Sequence, residues 1–349
     1  MHILIHGGAG RMRSMGSHLE QQYRDGLRAA CAHGAAVLRG GGTAGDAATA
    51  ATVWMEDSGV FNAGLGSCLT YDGAVEMDAA VMEKGRRFGA VAAVNGVANP
   101  VLLARAVVEQ TPHALLAGPG ATAFARAQGF HFRDGFPSKA RKATWRARRD
   151  ELDAGRLEEG LAALGGVLGT PDEGAEIAAL RGAGDEGSAG PDAKHDGEPM
   201  TDGDTVGAVA LDSRGDCAGA VSTGGIWMKL PGRVGDCPLP GAGIWTAPGG
   251  EGAAVATGTG ESLLRTLISK EVVDRMAQRG AQGGCATAIA FLEAEEGDNV
   301  GGVIGVTREG FGWALNTRGM GRAVWADGMD EPAVAVWPDE PWDRPVPGA

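Results

Sequence analysis

Cysteine is sparse and scattered in this sequence. Its five cysteines, Cys31, Cys68, Cys217, Cys237 and Cys285, include no CxxC pair, which excludes a zinc knuckle and a disulfide framework and fits a reducing compartment. No apolar run reaches the roughly eighteen residues of a spanning helix. The opening MHILIHGGAG has neither the basic start nor the long apolar middle of a secretory leader, so a cytoplasmic location is expected. Basic charge is outweighed, giving a net charge of -13; a nucleic-acid partner, which needs a concentrated basic surface, is not expected. No GKS or GKT follows a glycine-rich turn, so a Walker A phosphate loop is absent. Gly258-Thr259-Gly260 is followed by Leu263 where a dinucleotide turn needs its third glycine. No histidine follows His195, so a Ser-His-Asp arrangement would have to draw its base from the first half of the chain or from the polar stretch around that residue.

What is abundant is glycine, 60 residues in a chain of 349 that is 44% hydrophobic. The glycines sit in short clusters between apolar runs, without a collagen period, as tight turns and small-residue packing require. Residues 3–5 read as a buried strand ending at Gly7 and Gly8. Ser17–Arg39 reads as a helix with Leu19, Tyr23, Leu27, Cys31 and Leu38 near one face, and an Ala-rich helix is expected over 46–56. Strand and turn signals alternate from Asn62 to Val97, and another helix is expected over 100–109. Residues 139–149 form an isolated basic stretch, expected to be a solvated helix face. Residues 182–203 carry almost nothing to bury and read as a mobile linker. Order resumes at Thr205 with two alternating strands, Val206–Leu211 and residues 217–222, joined by a hairpin turn at 212–215.

In the second half, threonine stands beside glycine or two residues from it three times: Asp204-Thr205-Val206-Gly207, Ser222-Thr223-Gly224-Gly225 and Ala256-Thr257-Gly258-Thr259-Gly260. A threonine supplies both nucleophile and base when it begins a chain, because its α-amine titrates near neutrality, at about 7.7 to 8. Thr205, between a polar stretch and a strand, is where a new N-terminus could arise without tearing a core. Each threonine taken singly is an ordinary strand or turn residue; their combination carries the argument.

At these residues the chain resembles a known family. DTVGAVALD, VSTGGIWMKLPGRVGDCPLPGAG and ATGTGES are similar to successive signatures of the plant-type asparaginase and isoaspartyl peptidase branch of the N-terminal-nucleophile hydrolases. HGGAG, GDAATAATVWMEDSGVFNAGLGS, MDAAVM and NTRGM match the same family in the same order. The resemblance implies an α+β chain folded as a single four-layer αββα sandwich. It further implies self-cleavage between Asp204 and Thr205 into an α chain of residues 1–204 and a β chain of residues 205–349. Thr205 would then be the nucleophile, with Asn62 and Thr223 orienting its amine and hydroxyl. The Thr257 hydroxyl and the Gly258 N–H would form an oxyanion hole. Arg233 would bind the substrate α-carboxylate, and Asp236, with the Gly260 carbonyl, the α-ammonium. The implied activity is hydrolysis of β-aspartyl dipeptides and L-asparagine by a homodimer of αβ units. No catalytic cofactor is implied, but a structural sodium is, on the carbonyls of Met55, Glu56, Ser58, Phe61, Ala63 and Leu65.

The Asp204-Thr205 junction departs from the Gly-Thr junction of plant-type members and is similar to that of glycosylasparaginases and of the threonine aspartase taspase. Gly225, where glycosylasparaginases have Asn, and Thr259 in the GTG run stand against the first alternative, and Asp236 against the second. Ile226-Trp227-Met228 is bulkier than the corresponding family stretch, which bears on the leaving group. A catalytically idle scaffold on the same fold has no physical need for the combined Thr205, Thr223, Thr257, Arg233 and Asp236.

Overall fold

The computed structural model describes residues 1–10, 17–133, 136–153, 205–298 and 300–347. The 182–203 stretch and Asp204 lie outside the described residues. Among the described residues the chain is a mixed α/β fold with two sheets. Eight strands form the larger sheet, in the order β12 (Ala333–Ala335), β11 (Gly319–Ala326), β1 (His2–Gly10), β5 (Val206–Leu211), β6 (Cys217–Thr223), β2 (Met77–Glu83), β3 (Arg87–Val94) and β4 (Leu115–Ala117). Only the β3 and β4 pair is parallel. The smaller sheet runs β10 (Phe311–Leu315), β9 (Gly301–Thr307), β8 (Gly252–Gly258) and β7 (Ile244–Thr246), all antiparallel.

The central hairpin β5 and β6 is buried along its whole length, with the sequences VGAVAL and CAGAVST. Its glycines let the smaller sheet approach: a Cβ on Gly219 would lie 3.3 Å from Val255 Cγ1, and one on Gly207 3.0 Å from Val255 Cγ2. Helices α1 (Ser17–Arg39), α2 (Ala44–Ser58) and α3 (Pro100–Gln110) contact strands of the larger sheet. The long α7 (Ile268–Glu296), interrupted at Gly280, contacts the smaller one. There Gly305 leaves room for Met276, whose Cε would be 1.8 Å from a Cβ at that position. Short helices α4 (Gly118–Ala127) and α6 (Gly260–Thr266) follow β4 and β8.

Helix α1 has the expected limits, and Tyr23, Leu27, Cys31 and Leu38 are buried while Leu19 is half-buried. Helix α2 extends beyond the expected 46–56. It is opened by a capping box in which Thr43 Oγ1 accepts from the Asp46 N–H and Asp46 Oδ2 from the Thr43 N–H, each at 3.0 Å. It ends at Gly59, whose φ of 69° no β-branched residue would adopt readily.

The basic stretch does form a helix, α5 (Lys139–Asp153), but it is not a plain solvated face. Arg141 is 7% exposed, and Trp145 Nε1 donates to the Thr70 carbonyl at 2.9 Å. The Arg149 guanidinium stacks 4.2 Å from the Tyr71 ring, and that of Arg148 lies 5.4 Å from Trp227. Arginine stems and one tryptophan give the helix a docking side that its charge count conceals.

Candidate active site

Strand ends bring the threonines together. Val206 pairs with Ser222, so Thr205, one residue before β5, follows the register toward Thr223, the last residue of β6. On the facing sheet, Thr257 and Gly258 end β8, opposite Gly302 and Gly301 of β9. The Thr257 hydroxyl reaches across the two sheets. It accepts from the Thr205 N–H at 3.3 Å and from the Ala9 N–H at 3.2 Å, and it donates to the Thr205 carbonyl at 3.3 Å. Thr205 is 5% exposed and Thr257 fully buried. Gly258 has φ 142°, and a Cβ there would fall 2.2 Å from the Val300 carbonyl oxygen. Glycine is therefore required for the strand end to keep this backbone turn.

Asn62 locks the loop after α2 onto the loop after β6. Its Nδ2 donates to the Gly225 carbonyl at 2.6 Å, its Oδ1 accepts from the Cys68 N–H at 2.7 Å, and its own carbonyl accepts from the Gly224 N–H at 3.0 Å. Thr223 Oγ1 accepts from the Gly225 N–H at 2.9 Å. Asn62 and Thr223 thus bracket the same two glycines.

Beside this cluster lies a charged one. A Cβ on Gly260 would meet Arg233 Nη2 at 2.8 Å and Asp236 Oδ1 at 3.0 Å, so the three residues expected to bind substrate do converge. Arg233 forms no ion pair with Asp236. It donates instead to Glu261, from Nε to Oε1 at 2.9 Å and from Nη2 to Oε2 at 2.8 Å. Among the described residues nothing donates to the buried Asp236 Oδ2. Burial raises Asp236 to about 7, the charge of Arg233 only partly opposing it. Behind it, burial also raises Asp78 and lowers Lys229. The Lys229 ammonium donates to the Glu76 carbonyl at 2.8 Å.

The loop at 55–65 folds onto the end of α2. A Cβ on Gly64 would lie 2.3 Å from the Glu56 carbonyl oxygen, and one on Gly66 2.0 Å from that of Phe61 and 2.8 Å from that of Gly59. Met55 O accepts from Ser58 Oγ at 2.9 Å and Ala63 O from the Gly66 N–H at 3.1 Å; each carbonyl keeps a second lone pair. The turn therefore gathers several backbone carbonyl oxygens. Burial pushes the Glu56 side chain up to about 8; its Oε1 accepts from Ser222 Oγ at 2.6 Å and from the Val101 N–H at 3.0 Å.

The sequence profile of the asparaginase family matches residues 1–334. The chain belongs to the asparaginase family. It is 40% identical to the plant-type L-asparaginase of Pyrobaculum calidifontis over 333 residues, which cover 92% of this chain and 95% of that one. It is 36% identical to the isoaspartyl peptidase of Escherichia coli over 346 residues, 96% and 95% of the two chains. The isoaspartyl peptidase/L-asparaginase of Xenopus laevis is 34% identical over 310 residues, 88% of this chain and 86% of that one.

In this asparaginase-family chain the fold brings to the candidate site four polar residues that stand out in no motif of the sequence. Asp78 and Lys229 are charged residues in apolar segments, and that contrast was a usable signal. Glu261 had none, because its partner is 28 residues away. His6 lies under the start of β5, where a Cβ on Gly207 would fall 2.5 Å from its Nε2. Burial lowers it to about 3, so the imidazole is neutral at physiological pH.

Proposed function

We propose that this chain is a self-processing amidohydrolase that uses Thr205 to cleave the side-chain amide of L-asparagine and the isopeptide bond of β-aspartyl dipeptides. The observation that carries the reading is the Thr257 hydroxyl held between the amide and the carbonyl of Thr205. The names of the relatives, plant-type L-asparaginase and isoaspartyl peptidase, agree with it.

Maturation begins when Thr205 Oγ attacks the Asp204 carbonyl carbon. The C–N bond breaks, the hydroxyl proton passes to the departing nitrogen, and an ester joins Asp204 to the Thr205 side chain. Water hydrolyses that ester, leaving a carboxylate on Asp204 and a free amine and hydroxyl on Thr205. In turnover the amine takes the hydroxyl proton as Oγ attacks the substrate amide carbon, then delivers it to the leaving ammonia or amino acid. Water next cleaves the aspartyl ester and releases aspartate. The Thr257 hydroxyl and the Gly258 N–H stabilise the oxyanion, at roughly 3 kcal/mol per donor. Asn62 and Thr223 fix the loops that face the Thr205 amine and hydroxyl.

Specificity comes from Arg233 toward the α-carboxylate, and from Asp236 and the Gly260 carbonyl toward the α-ammonium. Both groups are free in asparagine and in a β-aspartyl dipeptide, whereas an aspartate within an ordinary polypeptide offers neither. The unpartnered, buried Asp236 Oδ2 supports a cationic ligand there, because a buried carboxylate oxygen without a donor is costly. The carbonyls of Met55, Glu56, Ser58, Phe61, Ala63 and Leu65 would hold a sodium ion, whose charge would stiffen the loop carrying Asn62.

The same reading assigns the two sheets and their helices to a four-layer αββα sandwich. The face-to-face approach of β5 and β6 to β8, with helices contacting both sheets, supports it. Assembly as a dimer of αβ units and a cytoplasmic location complete the reading, the latter supported by five buried free cysteines.

Ammonia release from L-asparagine and amino-acid release from β-aspartyl dipeptides test the activity. Thr205→Ala is expected to abolish both turnover and chain cleavage. Retention of either in that variant refutes the role of Thr205.

A further inference from the structure

A guanidinium keeps its charge wherever it is placed, so burying one without a carboxylate is costly unless carbonyl oxygens and aromatic faces receive it. Arg141 is such a group. It is buried, and no carboxylate among the described residues acts on it. What receives it is the loop that carries Asn62. Arg141 Nη2 donates to the Gly59 carbonyl over a long 3.5 Å. A Cβ on Gly66 would lie 3.0 Å from the same Nη2, 2.8 Å from the Gly59 carbonyl oxygen and 2.0 Å from that of Phe61. The guanidinium and two loop carbonyls thus crowd around one bare α-carbon, with Asn62 in the span between Gly59 and Gly66. On its other side the guanidinium lies 6.0 Å from the ring of Trp227, which is buried. Trp227 follows two residues after Gly225, whose carbonyl accepts from Asn62 Nδ2.

We infer that Arg141 is a positioning residue: its guanidinium, delivered by α5, pins the 59–66 loop against the loop after β6 and so keeps Asn62 set toward Thr205. This rests on the proposed amidohydrolase reading. On that reading Arg141 and Asn62 belong to the chain ahead of the cut and Trp227 to the chain after it, so one cation joins the two beside the nucleophile. The Gly59 carbonyl is outside the six assigned to sodium, which separates the role of the arginine from that of the ion. Helix α5 is anchored without this guanidinium. Ser138 Oγ accepts from the Arg141 backbone N–H at 3.3 Å, Trp145 Nε1 donates to the Thr70 carbonyl at 2.9 Å, and Arg149 Nη1 donates to the Tyr71 carbonyl at 3.3 Å. Truncating the Arg141 side chain therefore loosens the loop while the helix stays docked.

The test is steady-state kinetics on L-asparagine for the processed wild type, Arg141→Met, Arg141→Lys, Arg141→Ala, Asn62→Ala and the Asn62→Ala/Arg141→Met pair. Arg141→Met is expected to lower kcat about tenfold and to change KM less than about twofold, because Arg233 and Asp236 still hold the substrate while the reacting groups lose alignment. Arg141→Lys, which keeps the charge but not the fork, is expected to fall between, and carries the same comparison if the Met variant does not fold. Arg146→Met, an exposed position of the same helix, is expected to keep wild-type kinetics. Guanidinium chloride at a sub-denaturing concentration is expected to restore part of kcat in Arg141→Ala and none in Asn62→Ala, and equal sodium chloride to restore neither. In the Asn62→Ala background Arg141→Met is expected to cost nothing further, since the arginine acts through that loop. A wild-type kcat in Arg141→Met, a loss confined to KM, full restoration by sodium chloride or a full additional loss in the pair each overturns the inference. A wild type that releases no ammonia from asparagine and cleaves no β-aspartyl dipeptide overturns the functional reading and this inference with it. An active wild type with an indifferent Arg141 overturns the inference alone.

Discussion

At the scale of single residues, the site is defined by groups that lack something. Asp236 has a buried oxygen with no described donor, Thr205 on the proposed reading needs a free amine before it can act as base, and Gly258 and Gly260 have no side chain where one would collide, at Gly258 with the Val300 carbonyl and at Gly260 with Arg233 and Asp236. The Asp236 carboxyl gives a pH prediction with a fixed sign. Its value in the folded chain is raised to about 7 from the ordinary 3.8. The ionised form is the one that binds an ammonium, so KM for L-asparagine is expected to fall as pH rises through about 7. Between the two values the folded state binds more protons than the unfolded. The stabilisation from the protonated group is therefore complete below the ordinary value and is lost as pH rises through about 7. Melting temperature followed from about pH 5 to pH 8 should accordingly decline less in Asp236→Asn than in the wild type; parallel curves would remove the carboxyl from this account. Thr205, Thr223 and Thr257 stood out in the sequence because each lies within two residues of a glycine, and the fold puts Thr205 in hydrogen-bond contact with Thr257. Glu261 did not, because its contact depends on a loop closure that no local spacing encodes.

At the scale of elements, burial and capping explain what was legible and what was not. Helix α1 has an apolar face at helical spacing and was readable to its end residues. Helix α2 starts earlier than its apolar pattern because Thr43 and Asp46 form a capping box just ahead of the alanines. Helix α5 was readable as a helix but not as a docked one, since its contacts are made mostly by arginine stems and Trp145, with Leu152 the one aliphatic side chain of the helix packed against the core. Trp145→Ala removes the hydrogen bond to the Thr70 carbonyl along with a half-buried ring. It is expected to cost about 2 kcal/mol, below the value for a fully buried tryptophan. Chemical denaturation measures this loss, and a change within about 0.5 kcal/mol would show that α5 rests on the surface without supporting the loops beneath it.

At the scale of the whole molecule, the two sheets meet where Gly207 and Gly219 lie against Val255, and the candidate site lies where β5 and β6 of one sheet face the end of β8 of the other. The mixed α/β class was legible from alternating strand and helix signals. Sheet order was not, because β1 joins β5 and β11, strands from opposite ends of the chain. That arrangement has a consequence for maturation. Thr205 N–H and carbonyl are already hydrogen-bonded to Thr257 in the uncut chain, and β5 is paired on both sides. Scission ahead of Thr205 can therefore leave the sheets in place and the site intact. Intact-mass spectrometry of purified, active protein under denaturing conditions tests this claim most directly. Two polypeptides with the masses of residues 1–204 and 205–349 are predicted, the second beginning Thr-Val-Gly-Ala; one uncut polypeptide with full activity would contradict the account.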